Sequence, residues 1–247
     1  MPVLALDTSA AVAVALVADD GDVPAARAAP AGEGAPAGRR VLAARVAHEQ
    51  RRHAELLAPM VVDVLAEASI ARGDLTGVVA GTGPAPFTGL RVGLVTARAL
   101  ALALDLPLHG VCSLDARAAQ AVDRLTVEPG AEVLVVTDAR RREVYWARYR
   151  ATGQADPVEL VAGPGVATPA QVVADGLAEG AVVVGPGAVL YAEVLPPSDD
   201  APVQLDPAVL ARLALARAAR GVPLPTEPLY LRRPDVMPPA ERKRALG

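Results

Sequence analysis

Apolar residues come in short runs separated by turn signals, and the period of those runs changes along the chain in an order that repeats. Val3 to Asp7 is an apolar run ending in a carboxylate, which predicts a buried strand, and a second run from about Ala11 to Ala18 returns from it. Residues Asp19 to Gly38 are rich in Ala, Gly and Pro and read as a long hairpin loop, after which Arg40–Ala47 resumes a strand. Leu56, Leu57, Met60, Val61, Val64, Leu65 and Ala68 then recur at helical spacing, with Glu55, Asp63 and Glu67 off that stripe. Pro59 fits a first turn or a kink, so the regular helix is expected to start near Ala58. Strand Gly77–Gly81, a glycine-rich turn reaching Gly93 and helix Leu90–Leu104 follow. Pro107–Cys112 is the next strand, and Ser113 is placed to N-cap a helix through about Asp123.

The pattern then restarts. Glu132–Asp138 is again a strand ending in Asp, with Glu143–Arg150 as its hairpin partner and a third strand near Val158–Ala162. Thr168 and Pro169 open a helix, Ala181–Gly185 is a strand before another glycine-containing turn, and Asp206 with Pro207 starts a helix to Arg220. Two rounds of strand, strand, strand, helix, strand, helix predict a duplicated α/β fold whose lobes each hold a mixed sheet with helices, meeting around Leu106–Leu114. The corresponding division is residues 1–110, 111–226 and a tail, 227–247.

Composition narrows this picture. Of the residues, 52% are hydrophobic but only 2% aromatic, so the core must be built from Ala, Val and Leu. A net charge of −4 supplies no global basic field for nucleic acid. Cys112 is the single cysteine, which leaves no partner for an internal disulfide or a multi-thiolate metal site and reads as a small core residue at a strand end. No signal peptide is expected, because Asp7 interrupts the first apolar run. Apolar stretches broken by Asp7, Asp19, Arg98 or Asp105 fall short of the ~20 residues that span a bilayer, and a cytoplasmic protein is expected.

The richest candidate chemistry lies in the turn Gly81-Thr-Gly-Pro-Ala-Pro-Phe-Thr-Gly-Leu-Arg-Val-Gly93. A glycine-rich strand-to-helix connection brings backbone N–H groups and a helix N-terminus to one point, which favours an anion. The doubled order, each half opening on a strand that ends in Asp, resembles the actin-like ATPase (ribonuclease H-like) architecture. In that architecture the two hairpin loops hold nucleotide phosphates. Here the loops read Asp7-Thr8-Ser9-Ala10-Ala11 and Asp138-Ala139-Arg140-Arg141-Arg142, without the glycine that lets a backbone approach phosphate, which argues against a self-sufficient kinase.

A more specific resemblance runs from end to end. Its residues are Asp7-Thr8-Ser9 after the first strand, His53 leading into Leu56-Leu57-Ala58-Pro59, and Gly83-Pro84 with Phe87-Thr88-Gly89-Leu90-Arg91. Further on come Gly110-Val111-Cys112-Ser113-Leu114, Asp138-Ala139-Arg140 with Glu143-Val144-Tyr145, and Pro228-Leu229-Tyr230-Leu231-Arg232. On these residues the chain resembles the TsaB (YeaZ) family, whose central motif usually reads Gly-Pro-Gly-Ser-Phe-Thr-Gly. Ala85 and Pro86 stand at its third and fourth positions here, which removes backbone freedom and a hydroxyl and makes a direct anion contact less favourable. The resemblance implies a noncatalytic role in making threonylcarbamoyladenosine beside the anticodon of tRNA. It further implies a catalytic paralogue, TsaD, as dimerisation partner, an ATPase subunit, TsaE, in the assembly, homodimers through the same surface, and tRNA contacted through the complex. No cofactor is implied for the isolated chain, and a nucleotide at the assembled interface stays open.

The residues themselves bear on these expectations. His48 and His53, five apart, would point roughly 140° away from each other on one helix, so they do not form a metal pair or a zinc-protease motif. Gly89, Gly93, Ala97 and Ala101 recur at i, i+4 and predict a smooth stripe for a partner helix, gripped by Leu90 and Leu94 and flanked by Leu57, Val61 and Val64 of the preceding helix. The alternative is that both stripes pack on the sheet. Thr88 is placed to N-cap the helix; Arg91 either positions an anion or a partner loop, or pairs with a carboxylate. Arg140-Arg141-Arg142 with Tyr145, Trp146 and Tyr149 resembles a nucleic-acid patch, although strand parity sends Trp146 to the opposite side from the two tyrosines. The basic run Glu241-Arg242-Lys243-Arg244 reads as a solvated terminus. The rival readings are an ATP-dependent kinase of the same fold, a peptidase and a plain tRNA-binding module.

Overall fold

The computed structural model describes residues 1–19, 39–48 and 52–232; the loop around residues 20–38 and the basic C-terminal run lie outside them. The first lobe contains β1 (Val3–Asp7), β2 (Val12–Asp19), β3 (Arg39–Ala47), α1 (His53–Ala68), β4 (Gly77–Gly81), α2 (Phe87–Leu104) and β5 (Leu108–Val111). After α3 (Ser113–Leu125) come β6 (Glu132–Asp138), β7 (Val144–Ala151), β8 (Val158–Ala167), α4 (Pro169–Ala174), β9 (Ala181–Val184), α5 (Pro186–Leu190) and α6 (Pro207–Ala219). The sheets have the orders β3-β2-β1-β4-β5 and β8-β7-β6-β9. In each, the first strand is antiparallel to its hairpin partner and parallel to the strand that follows the next helix. This is the duplicated α/β fold with mixed sheets that the repeated pattern predicts.

Strand parity decides which face meets which layer. Leu4 and Leu6 of β1 face α1 and α2, while Val3 and Ala5 face the inside of the molecule, where Val133 and Val135 of β6 meet them across a helical layer. That layer is α3 and α6, and their attachment is crossed. The α3 helix, which leaves β5, packs on β6, β7 and β8, whereas α6, the last helix, packs on β1, β2, β4 and β5. Small side chains permit the close approach: Ala116, Ala118, Ala119 and Ala121 of α3 and Ala208, Ala211 and Ala214 of α6 are all buried there. Leu134, Val136 and Val172 form a separate outer core on the second sheet.

Several local expectations change. Helix α1 begins at His53, not near Ala58, and Pro59 sits inside it; this is tolerated because Pro59 is exposed, so the carbonyl it leaves unbonded faces water. Helix α2 begins at Phe87 with Pro86 at the N-cap, and Leu90 N donates to Pro86 O (3.3 Å), so Thr88 lies within the first turn and does not cap it. Cys112, not Ser113, occupies the N-cap position of α3 with no side-chain cap hydrogen bond, and the Ser113 hydroxyl is directed to Asp7. Strand β8 continues five residues past Ala162 to Ala167 through Pro164, which an edge strand accommodates. Helix α5 was hidden by its length of 5 residues. Thr168 and Asp206 do cap α4 and α6, accepting from Gln171 N and Ala208 N.

Candidate functional site

The residues of the family-like motifs converge where β1 and β4 end. Asp7 is buried, and one carboxylate oxygen accepts from Ser9 N (2.9 Å) and Ser9 Oγ (2.6 Å) while the other accepts from Ser113 Oγ (2.6 Å). Ser113 Oγ in turn accepts from Gly83 N (3.3 Å), so the carboxylate is wired to the glycine-rich turn. Gly81 is required by this arrangement, because a Cβ there would overlap Asp7 Oδ2. Arg117 on α3 is buried behind Asp7 and donates to Val203 O (3.0 Å), with its Nε lacking a hydrogen-bond partner. Burial pulls the Arg117 pKa down, and the Asp7 carboxylate opposes that shift.

Thr8 explains the spacing of the helix glycines. Its Oγ1 donates to Gly89 O (2.8 Å) and accepts from Gly93 N (3.1 Å), the two groups that a regular helix would bond to each other. A hydroxyl is thus inserted into the hydrogen-bond ladder of α2. A Cβ on Gly93 would collide with Thr8 Oγ1, and one on Gly89 would lie 3.1 Å from Thr8 O. His53, the buried first residue of α1, packs against the same point: its Nε2 lies 3.6 Å from where a Gly89 Cβ would be and has no hydrogen-bond partner. The approach for which Gly89 and Gly93 are shaped is therefore made by the chain's own β1–β2 turn. Among the described residues, this turn and Ser113 fill the glycine cradle that the sequence offered to an anion.

The residues of the partner stripe read from sequence pack inward, the alternative in which the stripes lie on the sheet. Leu57, Val61, Val64, Leu90, Leu94, Ala97 and Ala101 are buried with Leu4, Leu6, Val78 and Ala80, and they hold α1 and α2 on the first sheet. Gly93 is buried and Gly89 half-buried. The outward faces of both helices also carry apolar side chains: Val62 and Val95 are each 62% exposed and Leu102 is 86% exposed, with Ala58, Ala66, Ala99 and Ala103 nearby and the exposed charges Asp63, Glu67, Arg91 and Arg98 among them. Sequence separates the two sides poorly, because apolar residues also stand between the exposed charges on the outward side. With 18 residues and a mean hydropathy of 1.5, α2 also has the length and apolarity of a membrane span, although one side of it packs on β4.

Other motif residues lie at the rim. Gly83 and Pro84 are buried and joined by a cis peptide bond, and Thr88 is exposed. Arg91 lies over the Phe87 ring (3.9 Å to its centroid), and its Nε donates to Tyr230 Oη (3.2 Å). His48 follows β3 and is exposed, so the two histidines do not share a helix. The aromatic part of the nucleic-acid patch is unavailable: Tyr145 and Tyr149 are buried, and Trp146 packs over Gly165, where a Cβ would lie 2.8 Å from the indole. Tyr149 Oη donates to Asp115 (2.7 Å), and burial together with that carboxylate pushes its pKa well up. Arg140, Arg141 and Arg142 are exposed at the β6–β7 turn.

The chain was compared with known proteins. Residues 40–187 match the model of a family described as TsaD, tRNA N6-adenosine threonylcarbamoyltransferase. An uncharacterized protein of Mycobacterium leprae is 40% identical over 237 residues, covering 96% of this chain but 56% of that protein, so the chain spans little more than half of it. The Escherichia coli tRNA threonylcarbamoyladenosine biosynthesis protein TsaB is 38% identical over 100 residues, 40% of this chain and 42% of that one. The structure of YeaZ from Pseudomonas aeruginosa superimposes with a TM-score of 0.71 at 30% identity, covering 93% of this chain and 99% of that one. Matched by a family model over more than half its length and by YeaZ from end to end, the chain belongs to the TsaB (YeaZ) family.

Proposed function

We propose that this chain is a noncatalytic subunit of the machinery that makes threonylcarbamoyladenosine in tRNA, acting in the cytoplasm, and that it docks a catalytic TsaD-type paralogue on the outward face of α1 and α2. The observation that carries this reading is the set of exposed apolar side chains on that face, with Val62, Val95 and Leu102 solvent-facing on adjacent helices. Fully burying one such side chain contributes roughly 1.5–3 kcal/mol, so several of them in one contact offset part of the cost of association. Helix-on-helix pairing across a two-fold axis would let the same face form a homodimer when the paralogue is absent. Partner binding acts by mass action: the catalytic subunit's active conformation is favoured because this face binds it better than inactive ones. An ATPase subunit of the TsaE type completes the assembly in this reading, and a nucleotide, if one is held, sits at the assembled interface. The filled glycine cradle at Asp7 and Thr8 favours this role over that of an independent kinase.

The test is co-purification with the cognate catalytic subunit, followed by threonylcarbamoyl transfer to tRNA with the TsaE-type ATPase present. Leu102→Asp is expected to abolish co-purification and to cut transfer to the level without this chain. Its own melting temperature should stay unchanged, because the side chain is solvent-facing. Retained co-purification would place the interface elsewhere, and equal transfer with and without the wild-type chain would remove the proposed role.

A further inference from the structure

Residues distant in sequence form one cationic, aromatic rim at the strand-end edge of both lobes. After α6 the chain runs back across the first lobe: Gly110 N donates to Leu224 O (3.1 Å), Arg98 to Thr226 O (2.8 Å) and Leu229 N to Thr82 O (2.8 Å). There Tyr230 stacks on Phe87 with ring centroids 5.0 Å apart, beneath Arg91. Two residues later Arg232 reaches the second lobe, donating to Ala139 O (2.7 Å) and pairing with Glu143. Arg91 and the β6–β7 turn are thus linked through a strap whose step from Tyr230 to Arg232 spans at most about 7 Å.

The turn itself is shaped for display. Arg140, Arg141 and Arg142 all adopt left-handed backbone conformations (φ 62°, 52° and 62°), which cost roughly 1 kcal/mol or more apiece for residues other than glycine. Asp138 accepts from Arg140 N (2.8 Å), and Glu143 N donates to Arg140 O (3.0 Å), so the turn is closed at its base. The flanking carboxylates are engaged there, Asp138 with Arg140 (3.3 Å) and Glu143 with Arg232. Three guanidinium groups are thus gathered at the surface of one turn on a chain of net charge −4. The single phenylalanine and one of the four tyrosines stack beside Arg91, so scarce rings and cations meet on this rim.

We propose that this rim, from Phe87, Arg91 and Tyr230 to Arg140, Arg141 and Arg142, is an RNA-binding surface that holds the tRNA substrate directly: the arginines take backbone phosphates and the Tyr230 ring offers a face to an unstacked base. The identity of the RNA as tRNA rests on the proposed function; the phosphate and base chemistry does not.

The test uses the full chain alone and an unmodified tRNA transcript, with affinity measured across a salt series. Arg141→Glu/Arg142→Glu is expected to weaken binding at least about tenfold at low salt and to lower the slope of log K against log salt by roughly 1.5, at 0.7–0.9 per lost phosphate contact. Arg141→Gly/Arg142→Gly should lose binding similarly while melting no lower, since glycine accepts the left-handed backbone. Lysine at both positions should restore most of the affinity. Tyr230→Ala should weaken binding without altering the salt slope. Wild-type chain that does not bind tRNA, or variants that bind as well as wild type, would overturn the proposal, as would equal competition by polyglutamate, which would make an acidic protein the occupant. Co-purification of the charge-reversed chain with the catalytic subunit should persist. Failure of the wild type in that assay counts against the proposed function and leaves the RNA measurement standing.

Discussion

The two hairpins that open the lobes begin alike and end differently. In each, a strand ends in Asp, and that carboxylate accepts from the backbone N–H two residues on: Ser9 N to Asp7 at 2.9 Å and Arg140 N to Asp138 at 2.8 Å. The first turn then buries itself in the molecule. Asp7 takes the Ser113 hydroxyl, and Thr8 enters the ladder of α2, so this hairpin is fixed at its tip. The second turn stays at the surface, and its hairpin is fixed at the open end, where Glu132 binds Arg148 and Arg150 (2.9 Å to the latter). One copy of a duplicated element has become an internal fastener, and the other keeps its tip at the surface. A shared motif therefore says little about role until its surroundings are known.

This contrast can be broken from the first hairpin with the largest effect. Gly81→Ala forces a methyl group onto the Asp7 carboxylate and should destabilise the chain by about 3 kcal/mol or more, read from denaturant unfolding. A loss under about 1 kcal/mol would mean that the tip fastening is slack. Next in size, Thr8→Val keeps the shape but removes the hydroxyl between Gly89 O and Gly93 N, for an expected cost of about 2 kcal/mol. Thr8→Ser should recover most of it; if valine is tolerated as well as serine, the inserted hydrogen bonds contribute nothing.

The smallest effect sharpens the second hairpin and depends on pH. Burial pushes the Glu132 carboxyl up, but hydrogen bonds and charge from Arg148 and Arg150 outweigh it and hold the group below its ordinary value of 4.5. A depressed folded-state pKa gives stability that is complete above the unfolded value and lost as pH falls through the folded one. Glu132→Gln should therefore lower the melting temperature at neutral pH, and the gap from wild type should close as pH drops below about 4.5. A gap that persists unchanged into stronger acid would show that the ion pairs do not fix the hairpin base.

Periodicity made the strands and most helices legible, because alternating or continuous apolar runs answer directly to which face is buried. It was weaker at helix starts. Phe87 begins α2 because Pro86 already supplies an extended N-cap, so a threonine two residues on had no capping to do. The candidate site was legible as a list of residues and not as an arrangement. The i, i+4 pair of Gly89 and Gly93 correctly signalled a close approach, but nothing in one sequence says that Thr8 makes it. The same limit applies to the two sides of α2: Leu94 and Val95 are equally apolar, and only the position of β4 distinguishes a side chain 2% exposed from one 62% exposed. Tyr230 meeting Phe87 depends on a return path of the chain that no local pattern encodes.

The crossed attachment of α3 and α6 bears on how the polypeptide is made. The first sheet has its strands in hand once Val111 has left the ribosome, yet its inner face waits for the helix Pro207–Ala219. Roughly a hundred residues separate the two, which at bacterial elongation speeds is a delay of about 5–20 s. Val3, Ala5, Ala15 and Val79, buried in the folded chain, lack the α6 layer through that interval. A chain truncated before residue 207 would lack the helix that covers this face of its first sheet.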